Sequence, residues 1–303
     1  MSSAHLLAPT LFNVNGLVAL ISGGGTGIGL MATQALAANG AKVYIVGRRQ
    51  EALDRVVEVY GPISKGQIIP LVGDVTKKED VLRLAAEIKE REGGLHILIN
   101  NAGISGPRTP WTKETPVEEL SHNLLQESEE GWADVFRTNT TSIYYMTVAF
   151  LPLLAKFTFG GDAAGRAIYD KYQTGIINIT SISGLVKVAQ NHFCYNASKA
   201  AANHLHRMMA TEFAHTGVRV NSIAPGLFPT EMTARGKGSD ANNKTDLGEG
   251  WNINNMDTPA GRPGSDEDLG GTVLYLSSRA GQYTQGQIIA VDGGVLETHP
   301  SCV

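Results

Sequence analysis

The chain has 303 residues, 42% of them hydrophobic and 18% charged, with a formal net charge of −4. That composition suits a water-soluble globular chain with a full core, and its mild acidity argues against a nucleic-acid surface or a polybasic membrane patch. Two cysteines, Cys194 and Cys302, are too few for a disulfide framework and fit a reducing, cytoplasmic compartment. The amino-terminus lacks the charged-then-apolar pattern of a secretory signal, and no apolar run approaches the length of a membrane span.

Leu17 to Ile21 reads as a short buried strand, and SGGGTGIG follows at once. Gly23, Gly27 and Gly29 are the spaced glycines, and the residues from Ile28 to Gly40 read as a helix. Glycine between a strand and a helix lets the chain turn tightly and lets a pyrophosphate approach the helix amino-terminus. Gly23, Thr26, Gly27, Ile28 and Gly29 are therefore candidate cofactor residues. A second strand, Lys42 to Val46, ends in Gly47, Arg48 and Arg49, with Arg48 19 residues after Gly29 (48 − 29). An arginine there bonds a ribose 2′-phosphate, where an acid would repel it. The plainer alternative is a pair of arginines opening a surface helix over Gln50 to Tyr60. A third strand, Ile68 to Val72, leads to Asp74 and Val75. Asp74 is placed either at an adenine edge or as the cap of a helix from Lys77 to Arg91. A fourth strand, Leu95 to Ile99, runs into Asn100, Asn101, Ala102 and Gly103. Small and amide residues there suit a cofactor lying across the sheet edge, and suit a plain turn nearly as well.

Segment 104–131 reads as a surface loop with a short helix, rimming a substrate entrance. Trp132 to Leu154 reads as one long helix, apolar all round and hence buried on all sides. Asn139 is a lone amide on it, readable as a satisfied buried polar residue. Segment 156–174 reads as an extended helix–strand connection. The next strand, Ile176 to Ile179, ends in Thr180, Ser181 and Ser183, and Tyr195 and Lys199 follow four residues apart at the head of an Ala-rich helix. That spacing puts both side chains on one face. A phenol with a pKa near ~10 is a poor acid or base at neutral pH, and a fixed ammonium or a helix amino-terminus favours its phenolate. Taken alone, the pair is more often a solvated helix face.

Arg219 to Ala224 is the sixth strand, leading to Pro225, Gly226, Leu227, Phe228, Pro229 and Thr230. Residues 231–259, rich in Gly and Asn with Trp251 among few anchors, suit a mobile lid, or a loop without function. Ser265 is placed as the cap of a helix ending at Ser277, and Gln287 to Val291 closes the sheet. Residues 296–303 read as a tail. With no repeat, metal-ligand cluster or linker, residues 1–303 form one domain.

The motifs Gly23-xxx-Gly27-x-Gly29, Asn100-Asn101-Ala102-Gly103, Ser181 with Tyr195-xxx-Lys199, and Pro225-Gly226 occur in the order and spacing of the short-chain dehydrogenase/reductase family, which the chain resembles from about Leu17 to Val295. The resemblance implies an α/β architecture: a single doubly wound Rossmann-like domain with a seven-stranded parallel sheet and helices on both faces. It implies hydride transfer between a nicotinamide cofactor and a small carbonyl or alcohol. Ser181 and Tyr195 would hold the carbonyl oxygen, and Lys199 the nicotinamide ribose. Asn139 would hold a proton-relay water, Thr230 would contact the carboxamide, and the chain would form a homodimer or homotetramer. Arg48 and Arg49 point to NADP(H), and Ser183, Leu185, His192, Phe193, Leu227 and Phe228 are the expected substrate wall. Three departures stand out: His96 where the family carries Asp, a Ser181-to-Tyr195 interval of 14 residues (195 − 181), one longer than usual, and the two long segments 104–131 and 156–174. A non-redox acid–base enzyme, such as one for cyclisation or elimination, and a nucleotide-sensing binding protein are the alternatives from other classes.

Overall fold

The structure, a computed structural model, describes residues 3–158, 172–234, 238–247 and 258–301. Seven parallel strands form one sheet in the order β3-β2-β1-β4-β5-β6-β7. They are β1 (Val18–Ser22), β2 (Lys42–Gly47), β3 (Gln67–Val72), β4 (Ile97–Asn100), β5 (Gly175–Ile179), β6 (Arg219–Pro225) and β7 (Ile288–Val291). Alternation along the strands divides the core in two. Ala19, Ile21, Val43 and Ile45 face a cluster with Leu30, Leu36, Leu53, Leu269 and Val273. These come from helices α2 (Gly27–Ala38), α3 (Gln50–Tyr60) and α9 (Asp266–Ser277). Val18, Leu20, Tyr44 and Val46 face the opposite cluster with Leu84, Ile88, Phe150, Leu154 and Met209. Those side chains belong to α4 (Lys78–Glu92), α7 (Ser142–Phe157) and α8 (Phe193–Glu212). Strands covered on both faces explain why the sequence shows short continuous apolar runs rather than alternation. Tyr44, at the foot of β2, donates to the carboxylate of Glu92 at 2.5 Å, and Lys42 pairs with the same oxygen, so the buried acid at the end of α4 is neutralised.

Strand order reverses between β1 and β4, which opens a crevice at their carboxyl ends. One side chain ties it: the backbone N–H groups of Asn101 and Ala102 donate to Ser22 Oγ at 2.9 and 3.1 Å. His96, the departure from the family pattern, packs at the opposite end of these strands, just before β4 begins. Its Nδ1 accepts from Val18 N at 3.0 Å, and its ring lies 4.7 Å from that of Phe157.

The long helix expected over Trp132 to Leu154 is interrupted. Helix α6 (Glu129–Phe136) passes through a π turn at Arg137–Thr141 into α7. Its burial is also one-sided, a correction to the expectation from composition, since Tyr144 and Val148 are 45% and 41% exposed. The sheet covers a single stripe of the helix, and these residues point away from it. Segment 104–131 carries the short helix α5 (Val117–Leu124) between loops. Most of the connection 156–174 lies outside the described residues, and its ends meet through Thr158 and Thr174, whose hydroxyl oxygens are 2.6 Å apart. Ser265 and Asp268 form a reciprocal capping box at the head of α9. The last residues contain a short helix, α10 (Val295–Thr298), and dock: Lys187 N donates to Pro300 O at 2.8 Å, and Val186 bridges to Ser301.

Candidate active site

The glycine turn between β1 and α2 needs its glycines. Gly23 and Gly27 have φ of +68° and +53°, a region that L side chains rarely adopt. At Gly29 a Cβ would stand 2.1 Å from the Gly23 carbonyl oxygen and 2.5 Å from Asn101 Nδ2. The amide of Asn101 donates to the Ser22 and Gly23 carbonyls at 3.0 and 3.1 Å, fixing the turn against β4. Thr33, which sequence reasoning passed over, donates to the Gly24 and Gly29 carbonyls at 3.1 and 2.8 Å, locking the turn onto its own helix.

A cavity of about 240 Å³ runs from this turn across the sheet edge. It brings together most of the residues singled out in the sequence: Gly23, Thr26, Gly27 and Ile28; Asn101, Ala102 and Gly103; Tyr195 and Lys199; Pro225, Gly226, Phe228 and Thr230. Glycines stand where a Cβ would fill the cavity. A Cβ on Gly27 would meet Thr230 Cγ2 at 3.0 Å, and one on Gly103 would lie 3.7 Å from Lys199 Nζ. An elongated, glycine-lined cleft that opens on a helix amino-terminus fits a dinucleotide.

Lys199 is 4% exposed, and its ammonium donates to the Ile179 carbonyl at 3.1 Å. Burial lowers its pKa to about 8. Nζ lies 5.8 Å from the centre of the Tyr195 ring. Burial pushes the Tyr195 phenol above its ordinary value, and a hydrogen bond with the Ser181 side chain pulls it back. Burial, not the ammonium, is thus the dominant influence on the phenol. Ser181 Oγ also accepts from Ser183 N at 3.0 Å, which orients the hydroxyl despite the longer interval to Tyr195.

Asn139 sits wholly buried on the π turn. Its Oδ1 accepts from Ile104 N at 2.9 Å, and its Nδ2 donates to Ile104 O at 2.9 Å and to Ser198 Oγ at 3.0 Å. The side-chain amide is therefore fully engaged, and it ties segment 104–131 to the helix that carries Tyr195 and Lys199.

Other predicted residues are scattered. Arg48 and Arg49 are exposed at the end of β2, and Arg49 pairs with Glu231 at 3.1 Å. Asp74 neither caps α4, whose cap position is Lys77, nor lines the cavity; its carboxylate accepts from Thr76 N and Oγ1 at 3.0 and 2.7 Å. Val75 is buried in the core under α4. Among the substrate candidates, His192 stacks edge-on to Tyr195 with ring centroids 6.2 Å apart, and burial lowers its pKa. Ser183 donates to Gln190 Oε1 at 3.1 Å. Phe193 is exposed, while Leu185 packs in a small cluster with Ile182, Ala224 and Val295. Leu227 faces a different, smaller cavity shared with Arg262 and Asp292. Cys194 is buried, and burial raises its thiol pKa to about 11. Among the described residues no group of three His, Cys, Asp or Glu side chains could hold a metal ion, and no helix is long and apolar enough to cross a membrane.

Residues 23–296 match a family model described as enoyl-(acyl carrier protein) reductase. The chain is 39% identical to short-chain dehydrogenase/reductase PhomF of Diaporthe leptostromiformis over 98% of its own length and 97% of that protein. It is 34% identical to gluconate 5-dehydrogenase of Gluconobacter oxydans over 95% and 97%. The structure of a Pseudomonas aeruginosa RhlG/NADP active-site complex superposes with a TM-score of 0.76 at 31% identity, covering 95% of this chain and 99% of the other. The chain belongs to the short-chain dehydrogenase/reductase family and is an oxidoreductase of that family.

Proposed function

We propose that the protein is an NADP(H)-dependent carbonyl reductase acting on a ketone or aldehyde of a small organic molecule. The observation that carries the reading is the pairing of a half-buried, Ser181-bonded Tyr195 with a buried Lys199 in the cleft that starts at the glycine turn. NADPH supplies the hydride. The rest falls to the chain's own groups. The glycine turn and the amino-terminus of α2 receive the pyrophosphate, and Arg48 and Arg49 lie at the end of β2 where a 2′-phosphate is read. Ser181 and Tyr195 donate to the carbonyl oxygen as it gains charge, and Tyr195 delivers the proton. A phenol raised by burial stays protonated at neutral pH, the form that a proton donor needs. Lys199, largely cationic at pH 7, holds the ribose. Asn139 serves the proton relay by holding the π turn beside Lys199. His192, Ser183 and Phe193 border the Tyr195 side as substrate contacts, with Phe228 at the other wall.

The relatives named as dehydrogenases and reductases favour redox chemistry over the acid–base and sensor alternatives, and the RhlG/NADP complex favours the phosphorylated cofactor. Tyr144 and Val148 on α7 and Met208 on α8, 47% exposed, are exposed apolar side chains that a symmetry mate could cover, so a homodimer or homotetramer is proposed. A cytoplasmic location goes with the cysteine usage. Following the nicotinamide absorbance with a panel of ketones and alcohols, with NADPH and NADH in parallel, tests the function directly. Turnover with NADPH and a ketone is expected; no turnover with any carbonyl or alcohol would contradict it.

A further inference from the structure

Residues 231–259 were expected to lid the substrate. The described part of that segment reaches the glycine turn and the start of α3. Residues 240–244 fold into a tight loop: Asp240 Oδ1 accepts from Asn242 N and Lys244 N at 2.7 and 2.8 Å, and Asp240 N donates to Lys244 O at 2.7 Å. The loop presents Asn243, 2% exposed and held at φ +57°, a left-handed backbone that Asn tolerates better than most residues. Its amide is spent on two carbonyls from different elements. Nδ2 donates to Gly25 O at 2.9 Å and to Ala52 O at 2.7 Å, while Oδ1 accepts from Arg55 Nη1 at 3.4 Å.

Gly25 belongs to the glycine turn, and Ala52 lies in the first turn of α3, directly after Arg48 and Arg49. We infer that Asn243 is a positioning residue for the cofactor: it bolts the turn that receives the pyrophosphate to the helix start that presents the 2′-phosphate arginines. The inference rests on the cofactor site proposed above. Around the bolt, Glu231 spans Arg49 and Ser239, whose hydroxyl donates to it at 2.9 Å. The far end of the loop is anchored by Lys244, which donates to Gln34 Oε1 at 2.7 Å and pairs with Asp266. The described parts of this strap meet the glycine turn twice, since Thr230 packs on Gly27 and Asn243 holds Gly25. Gly25 O and Ala52 O can only accept, so the group between them must donate twice, which the NH2 of the Asn243 amide does and a carboxylate cannot.

The test is direct titration of NADPH and NADH into the full chain, with thermal unfolding in parallel. Asn243→Asp sets a carboxylate against two carbonyls, and Asn243→Gly keeps the left-handed backbone while deleting the bridge. Both are expected to weaken NADPH binding by about tenfold or more. The preference for NADPH over NADH should shrink in step, since the arginines lose their fixed distance from the turn. Lys244→Met, which loosens only the far anchor, should keep both the affinity and the preference. NADPH affinity retained in both Asn243 variants, with only thermal stability lost, overturns the inference. So does an equal loss in Lys244→Met, which would make the effect one of strap folding rather than of this bridge. A wild-type chain that binds neither cofactor overturns the underlying cofactor site and this inference with it, whereas tight wild-type binding retained in the Asn243 variants overturns this inference alone.

Discussion

At the Tyr195 corner of the cleft, Ser181, Tyr195 and Lys199 come from one strand–loop–helix unit, while at the glycine-turn corner the geometry depends on a side chain 218 residues away from the carbonyl it holds. The first corner is assembled locally: Ser181 follows two residues after the end of β5, and one turn of α8 sets Lys199 beside Tyr195. The second is assembled by closure of the chain, with Asn243 and Glu231 returning over α3. A local constellation survives changes in distant loops, whereas a bridged one couples cofactor binding to the folding of residues far along the sequence. The contrast also appears in the polar groups. The titratable groups of the first corner are perturbed by burial, and the charged groups of the second are exposed arginines.

The comparison can be broken at the shared floor first. Gly29→Ala places a methyl group within 2.1 Å of the Gly23 oxygen, so the turn must shift. NADPH affinity should fall by about 10²-fold or more in a titration, since a cradle built on close backbone approach has no room to yield. At the Tyr195 corner, Ser181→Ala removes a donor to the developing oxyanion and should lower kcat by about 10²-fold or more in steady-state assays. Thr180→Ala should cost less, because Thr180 Oγ1 is engaged with Ser222, 2.9 Å away, rather than with Tyr195. At the exposed corner, Arg48→Ala should reduce the ratio of specificity constants for NADPH over NADH by roughly ten- to hundredfold, the weight of one charge-assisted hydrogen bond.

The smallest effect is a pH dependence of stability. Lys199 is lowered from 10.5 to about 8 by burial, so between these values the unfolded chain holds a proton that the folded chain has released. Stability from this group therefore rises with pH through that window, and below pH 8 the burial cost is present in full. Lys199→Met should raise stability at pH 7 by up to about 3 kcal/mol and lose that advantage progressively as pH rises from 8 to 10.5, with less than half of it gone by pH 9. Urea unfolding of both proteins at pH 7 and pH 9 reads the difference.

Much of this was legible in the sequence, for a physical reason. The strands are buried on both faces, so each shows as a short apolar run. The glycines are steric necessities, and the Tyr195–Lys199 spacing is a helix turn. What the sequence hid depends on tertiary contacts. Asn139 appeared as a lone amide on a regular helix, but the π turn beneath it forms where Ile104 and Ser198 capture its side chain. Tyr144 and Val148 look like core by composition, and only the single sheet face that α7 meets leaves them outside. Asn243 lies in a Gly- and Asn-rich stretch with no periodicity, so nothing local marks it as a bridge to Gly25 and Ala52. Trp251, one of the few anchors expected in that stretch, lies outside the described residues.

The central claim is that Tyr195 donates the proton, and Tyr195→Phe tests it most directly because the ring and its packing against His192 remain. The measurement is single-turnover oxidation of bound NADPH by a ketone that the wild-type protein reduces, alongside an NADPH titration. The account predicts near-normal cofactor affinity with turnover lower by about 10²-fold or more, the usual weight of a positioned general acid. Turnover at the wild-type rate in Tyr195→Phe would contradict it, whatever the rest of the cleft contains.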